Sequence, residues 1–360
     1  MTDLILIFHV VLFYFLNIFI MRILLFSSFL FLLSSKTLYS QGCCSGGSGS
    51  PIAGGTSQGV LAERQMELNA NFQYLDTKKF FTGDRHDTAK LFDDLQSKYL
   101  YFRLAYGVTK NLTMSVEAGY FVNKTQIGLY KKDTITSSGI ADLILFPRYT
   151  VYSKNTETKR TELTLGLGFK IPLGKYDDST VVYTDPTTGE KLYTTSTPAV
   201  QPSTGSHDFI FYGFFYRGYP EKNFKLFMNA LYVKKGWNPL GEKFGDYASV
   251  GLFAGQTFFK KLGVTIQLKG EWIGMLKSAS NVDLVAYYGL YKEDTGGRKV
   301  LLVPQLSYSY KKFTLFALSE FPIYQYVNGS QVGSQYQITA GLTYRFMIKK
   351  KAVVEEKKAE

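Results

Sequence analysis

The chain has 360 residues, with 41 Lys+Arg against 29 Asp+Glu and a net charge of +12. Aromatic residues make up 16% of it (27 Tyr and 29 Phe), and charged residues only 19%, which excludes a disordered protein and argues against a helical enzyme, since Tyr, Phe and Gly are poor helix builders. A single apolar region within residues 4–33 opens the chain and no second one follows, which excludes a bundle of membrane-spanning helices.

Within that region Met21-Arg22 precedes an apolar run of eleven residues, 23–33, and a more polar stretch with small residues ends at Ser40. From Met21 this is the layout of a secretory signal: basic start, apolar centre, small residue before the cut. The expected plan is therefore a targeting segment over 1–40, with translation starting at Met21 and cleavage after Ser40. A Cys/Gly/Ser-rich linker over 41–65, a barrel over 66–348 and a charged tail over 349–360 follow.

The only cysteines are the adjacent Cys43 and Cys44. Two neighbours cannot provide a disulfide framework. They are open to lipid attachment, to soft-metal binding as paired thiolates, or to no role beyond a linker.

From residue 66 onward the chain reads as strands. In 111–122, 162–171, 262–271 and 336–348, apolar and small or polar residues alternate strictly. Period-two alternation of this length marks half-buried strands. Weaker copies at 66–75, 99–108, 140–152, 208–217, 224–234, 247–258, 299–310 and 312–324 bring the expected number to twelve. The connections alternate. Those at 109–111, 153–159, 218–223, 259–261 and 310–312 are short, and those at 76–98, 123–139, 173–207, 235–246, 276–298 and 325–335 are long.

An even number of strands, an outward apolar band, a polar inner side and one trimmed rim describe an all-β, closed, antiparallel up-and-down barrel of the outer-membrane kind. Closure satisfies every backbone hydrogen bond, as lipid requires. Both termini are expected on the short-turn, periplasmic side. Tyr99, Tyr120, Tyr308, Tyr310, Tyr324 and Tyr326 are expected at the strand ends, where Tyr suits the boundary between water and lipid.

If the apolar faces look outward, Glu67, Arg103, Glu117, Glu162, Lys170, Lys269, Glu271 and Arg345 line the lumen. Charges of both signs there either tune a conduit or pair and fill it. Gly166 and Gly168 are expected inside, where room is short, and Gly139 and Asp142 at the start of a strand. Chemistry is sparse. Histidines past residue 40 are limited to His86 and His207. Ser206-His207-Asp208 has the residue types of a hydrolase triad, but neighbours along a strand point to opposite faces and cannot form its hydrogen-bond chain. No Ser has a His at a readable catalytic spacing, so no enzyme activity or cofactor is expected, and no nucleic-acid partner is expected because the positive charge is spread through loops and tail.

Gly139-Ile140-Ala141-Asp142-Leu143, Phe146-Pro147-Arg148-Tyr149, 165–174, Gln201-Pro202-Ser203-Thr204-Gly205-Ser206 and Phe244-Gly245-Asp246-Tyr247 resemble a family of outer-membrane barrels labelled transporters or "meta-pathway of phenol degradation" proteins. The likeness covers about 136–275, and the leader at 43–55 is similar to that of some Bacteroidetes-type proteins. Ser203 departs from the family's commoner Gly. The resemblance implies a closed barrel in a Gram-negative outer membrane, passing small apolar or aromatic compounds. Its partners would be membrane lipid, the solute and the outer-membrane assembly machinery. Outer-membrane chains commonly finish on an aromatic that marks the last strand for insertion, and the equivalent here is Phe346, with fourteen residues after it. A non-conducting scaffold with partner-binding loops is the alternative reading, and a hydrolase on the barrel wall the third.

Overall fold

The structure is a computed structural model that describes residues 59–348 apart from 89, 132 and 133. The expected signal segment, the Cys43–Cys44 pair and the charged tail all lie outside the described residues. Twelve long strands follow one another in chain order: β1 Gln65–Thr77, β2 Asp94–Gly107, β3 Leu112–Ile127, β4 Ile135–Asn155, β5 Arg160–Ile171, β6 Asp208–Tyr219, β7 Phe224–Lys234, β8 Tyr247–Phe258, β9 Leu262–Ile273, β10 Gly297–Tyr310, β11 Phe313–Val332 and β12 Tyr336–Met347. Each pairs antiparallel with the next, and β12 closes on β1 through a register running from Gln65↔Met347 to Asp76↔Tyr336. The protein is a closed twelve-stranded barrel.

Alternation along each strand sorts the side chains between two media. Leu104, Leu165, Leu252, Ile266 and Leu315 point outward and are substantially exposed. Glu67, Asn69, Asn71 and Gln73 of β1 point inward and are buried. Water does not tolerate so continuous an apolar belt, and lipid does. An arginine at a mid-strand outward position therefore faces hydrocarbon. Leu165→Arg is expected to destabilise the barrel by about 2–4 kcal/mol, seen as a lower urea midpoint for loss of the heat-resistant folded band on gels.

The five short turns lie at one rim and the long connections at the other. Two of the expected long loops are largely strand. β3 continues to Ile127, β4 begins at Ile135, and β11 runs to Val332. Gly139 and Asp142 accordingly sit inside β4, where the ladder to β3 shifts register between Phe121 and Lys124, and Gly139 takes a φ of +141° that favours glycine. The loop after β1 returns as a small hairpin, Phe80–Gly83 with Arg85–Asp87, whose first strand pairs with the upper part of β11. A second hairpin, Ser179–Thr184 with Lys191–Thr195, stands in the loop between β5 and β6.

Candidate functional site

The lumen holds the chemistry. All eight of the charged side chains expected to line it face inward, and seven are buried, with Glu67 only 1% exposed. Arg345 is half-buried. They fall into three groups.

Near the short-turn end, Glu67 accepts from Arg103 and from Arg345, both at 2.5 Å. The pairing follows from register. Arg345 lies directly opposite Glu67 on β12, and Arg103 on β2 lies opposite Asn69, two residues along on the same face. Glu117, opposite Arg103 on β3, accepts from the Tyr101 hydroxyl at 2.6 Å and from Ser115 at 3.1 Å. Glu162 accepts from Arg160 at 3.0 Å.

On the β9–β11 wall, Lys269 bridges Glu271 at 2.7 Å and Glu320 at 3.2 Å, while Lys299 holds the other Glu271 oxygen at 2.8 Å.

The third group fastens a loop inside the barrel. Lys170 reaches Asp142 at 2.8 Å, Asp208 at 3.0 Å and the Thr204 hydroxyl at 2.6 Å. Lys124 donates to the Gln201 carbonyl at 2.8 Å. The whole Gln201-Pro202-Ser203-Thr204-Gly205-Ser206 segment is buried, and Gly205 makes its bend with φ +70°. Lys235 joins from the next loop, 3.0 Å from Asp208; burial pulls its ammonium pKa down, and Asp208 opposes the shift.

The inner face departs from expectation on one side. From β4 to β8 it is aromatic and aliphatic instead of small and polar: Ile144, Phe146, Ile210, Tyr212, Phe214, Phe227, Leu231 and Phe253 form one buried cluster. Phe227 and Phe253, opposite each other in the ladder, stack at 4.2 Å between centroids. Phe146 meets Tyr212 edge-on at 5.6 Å. It lies over Gly166 and Gly168, where a Cβ would come within about 3 Å of its ring, so these two glycines make room for it. The signal was in the sequence. In 208–216 both faces are aromatic, with Phe209 and Phe211 outward and Ile210, Tyr212 and Phe214 inward. Alternation alone cannot reveal an apolar inner wall when the outer wall is apolar too. Tyr99 belongs inside as well, buried against Phe121 at 4.6 Å and not at the lipid boundary. It shares the inward parity of Tyr101 and Arg103 on β2. Tyr120, Tyr308, Tyr310, Tyr324 and Tyr326 do face outward.

Both ends of the lumen are covered. At the long-loop end Phe80, Phe92, Leu95, Ala199, Val200 and Val332 pack into an apolar cap drawn from two loops, the start of β2 and the end of β11. A second cap joins Phe244, Leu276 and Leu284. At the short-turn end residues 59–64 turn into the mouth: Leu61 is buried and donates its N–H to Thr113 Oγ1 at 2.8 Å. Gly59 lies across the bore against the Glu162 carboxylate and the Phe214 ring.

Of the hydrolase-like triplet, Ser206 and Asp208 face inward and bond each other at 2.8 Å. His207 points away and stacks on Phe169 at 5.7 Å. His86 is exposed on the first loop, edge-on to Phe81. Among the described residues there is no group of three or more His, Cys, Asp or Glu that could hold a metal ion.

No family model matches the chain, and no curated protein does either. Among solved structures it is similar to the COG4313 outer membrane channel from Pseudomonas putida F1, with a TM-score of 0.60 at 12% identity over 81% of this chain and 99% of that one. That likeness gives it the fold of an outer-membrane channel. The beta domain of the Bordetella autotransporter Brka (TM-score 0.43, 12% identity, 79% of this chain and 100% of that one) and the TodX monoaromatic hydrocarbon channel (TM-score 0.36, 10% identity, 81% and 91%) are too far from it in shape to bear on the site.

Proposed function

We propose that this chain is an outer-membrane channel of a Gram-negative envelope that passes small apolar or aromatic solutes. The observation that carries this reading is the inward aromatic wall of β4–β8. Phe146, Phe214, Phe227 and Phe253 turn toward the axis and pack into one cluster, a wall suited to planar apolar molecules, since rings recognise rings by stacking and desolvation. The resemblance to barrels labelled for phenol degradation agrees with it. The signal segment, an insertion signal read at Phe346 by the assembly machinery, and short turns facing the periplasm belong to the same proposal. The five short turns carry seven lysines against two glutamates, a ring suited to lipid phosphates.

The test is flux through the refolded chain in liposomes, with p-nitrophenyl glucoside compared with glucose. The aromatic glucoside is expected to enter faster, and Phe227→Ser with Phe253→Ser to lower its rate about tenfold, the weight of one good aromatic contact. Equal rates for the two sugars would sink the aromatic part.

The second reading is a non-conducting scaffold, favoured by the covers at both ends. It predicts a folded barrel with no flux and loss of function when 173–207 is shortened.

A further inference from the structure

We propose that the solute carries an anionic group on its aromatic or apolar body, an aromatic carboxylate being the simplest member, with Lys225 receiving the anion and the aromatic cluster beside it on the β7 wall receiving the ring. This rests on the channel reading and narrows its solute class.

Glu67 is shared by two guanidiniums, Arg103 and Arg345, and Glu117 lies opposite Arg103, so two carboxylates serve two guanidiniums there. Lys225 is different. It lies on the inward side of β7 and has no acidic partner among the described residues. Its cross-strand neighbours are Gly218 and Gly255. Its methylenes lie along the wall beside Gly255, while the Tyr216 ring covers Gly218 on the other flank.

Phe227 follows two residues later on the same face of β7, already stacked on Phe253. An inward ammonium without a carboxylate beside a cluster of apolar rings is complementary to one kind of small molecule. The anion supplies the charge that Lys225 lacks. The ring packs at the edge of the cluster that Phe227 and Phe253 belong to. A neutral hydrocarbon would leave the ammonium unserved, and a cation would be repelled by it. In a narrow bore walled by low-dielectric protein, such fixed charge also sets which ions enter.

Planar bilayers test this with ions that do not cross lipid unaided. In a KCl gradient the wild-type channel is expected to show an anion-selective reversal potential. Benzenesulfonate should compete with chloride current at a concentration on the order of tenfold lower than methanesulfonate, with benzyltrimethylammonium inert. Lys225→Gln should abolish most of that difference and move the reversal potential toward zero. Lys191→Gln, on the exposed hairpin, should not. Cation selectivity, equal competition by the two sulfonates, or a Lys225→Gln channel unchanged from wild type overturns the proposal while leaving a channel in place. A folded barrel that carries no ion overturns the channel reading and this inference with it. Lys225→Arg keeps the charge and is expected to keep the selectivity, which separates lost charge from misfolding.

Discussion

Replacing residues 176–206 with a short Gly/Ser turn is expected to raise single-channel conductance at least several-fold, because it removes a connection that is fastened inside the bore. The length of this loop does not decide the matter; its attachment does. Lys170 binds Thr204, Lys124 binds the Gln201 carbonyl, and Ser203 donates to Asp142. Ala199 and Val200 complete the apolar cap around Phe80 and Val332. Deletion removes the polar bolt and two of the cap's six residues together, while the barrel wall keeps its ladder, since β5 and β6 pair from Asp208↔Lys170 downward without any help from the loop. The folded fraction, read from heat modifiability, should therefore stay close to wild type while conductance rises. An unchanged conductance in a folded deletion variant would mean that the remaining caps, those of Phe92 and Phe244, already close the bore.

The same segment shows where the sequence stops informing. Gln201-Pro202-Ser203-Thr204-Gly205-Ser206 shows a bend at Gly205, and a bend is there. Small polar residues look alike whether a loop stands in water or is folded against buried lysines, and only the partners, Lys124 on β3 and Lys170 on β5, distinguish the two.

The strands were legible wherever lipid sits on one side of them. Period-two alternation reports the boundary between an apolar and a polar medium, so 162–171 and 262–271 match β5 and β9 closely. Above the lipid that boundary vanishes while the backbone ladder continues. Residues 123–127 pair onward with β4 through Gln126↔Ile135, although Asn123-Lys124-Thr125-Gln126 carries no apolar rhythm. The charged lumen residues were legible for the converse reason: a Glu or Arg placed in an otherwise apolar alternation has only one face on which it can survive. The aromatic inner wall broke the assumption that one face is apolar and the other polar. Lys225 went unnoticed because its strand, 224–234, has apolar residues on both faces, and its importance depends on neighbours that only the closed ring supplies.

Glu67 is where charge and stability meet. Substituting Glu67 with Ala leaves Arg103, itself only 4% exposed, facing Arg345 with no carboxylate between them. Removing one partner of a buried ion pair costs about 3–5 kcal/mol, because the surviving charge stays buried without compensation. The loss should appear as a marked drop in the urea midpoint, followed by fluorescence of Trp237 and Trp272. Adding Arg103→Ala to the variant should recover much of it, since the charge that was stranded is then gone, and a double-mutant cycle measures that recovery directly. The two effects of Glu67→Ala also diverge in an informative way. The barrel becomes less stable, yet its short-turn mouth gains positive charge, so whatever channel folds should be more anion-selective than wild type. A triad that served stability alone would leave the reversal potential where it was. One that also sets the field seen by a solute beside Lys225 would move it further from zero in the anion-selective direction.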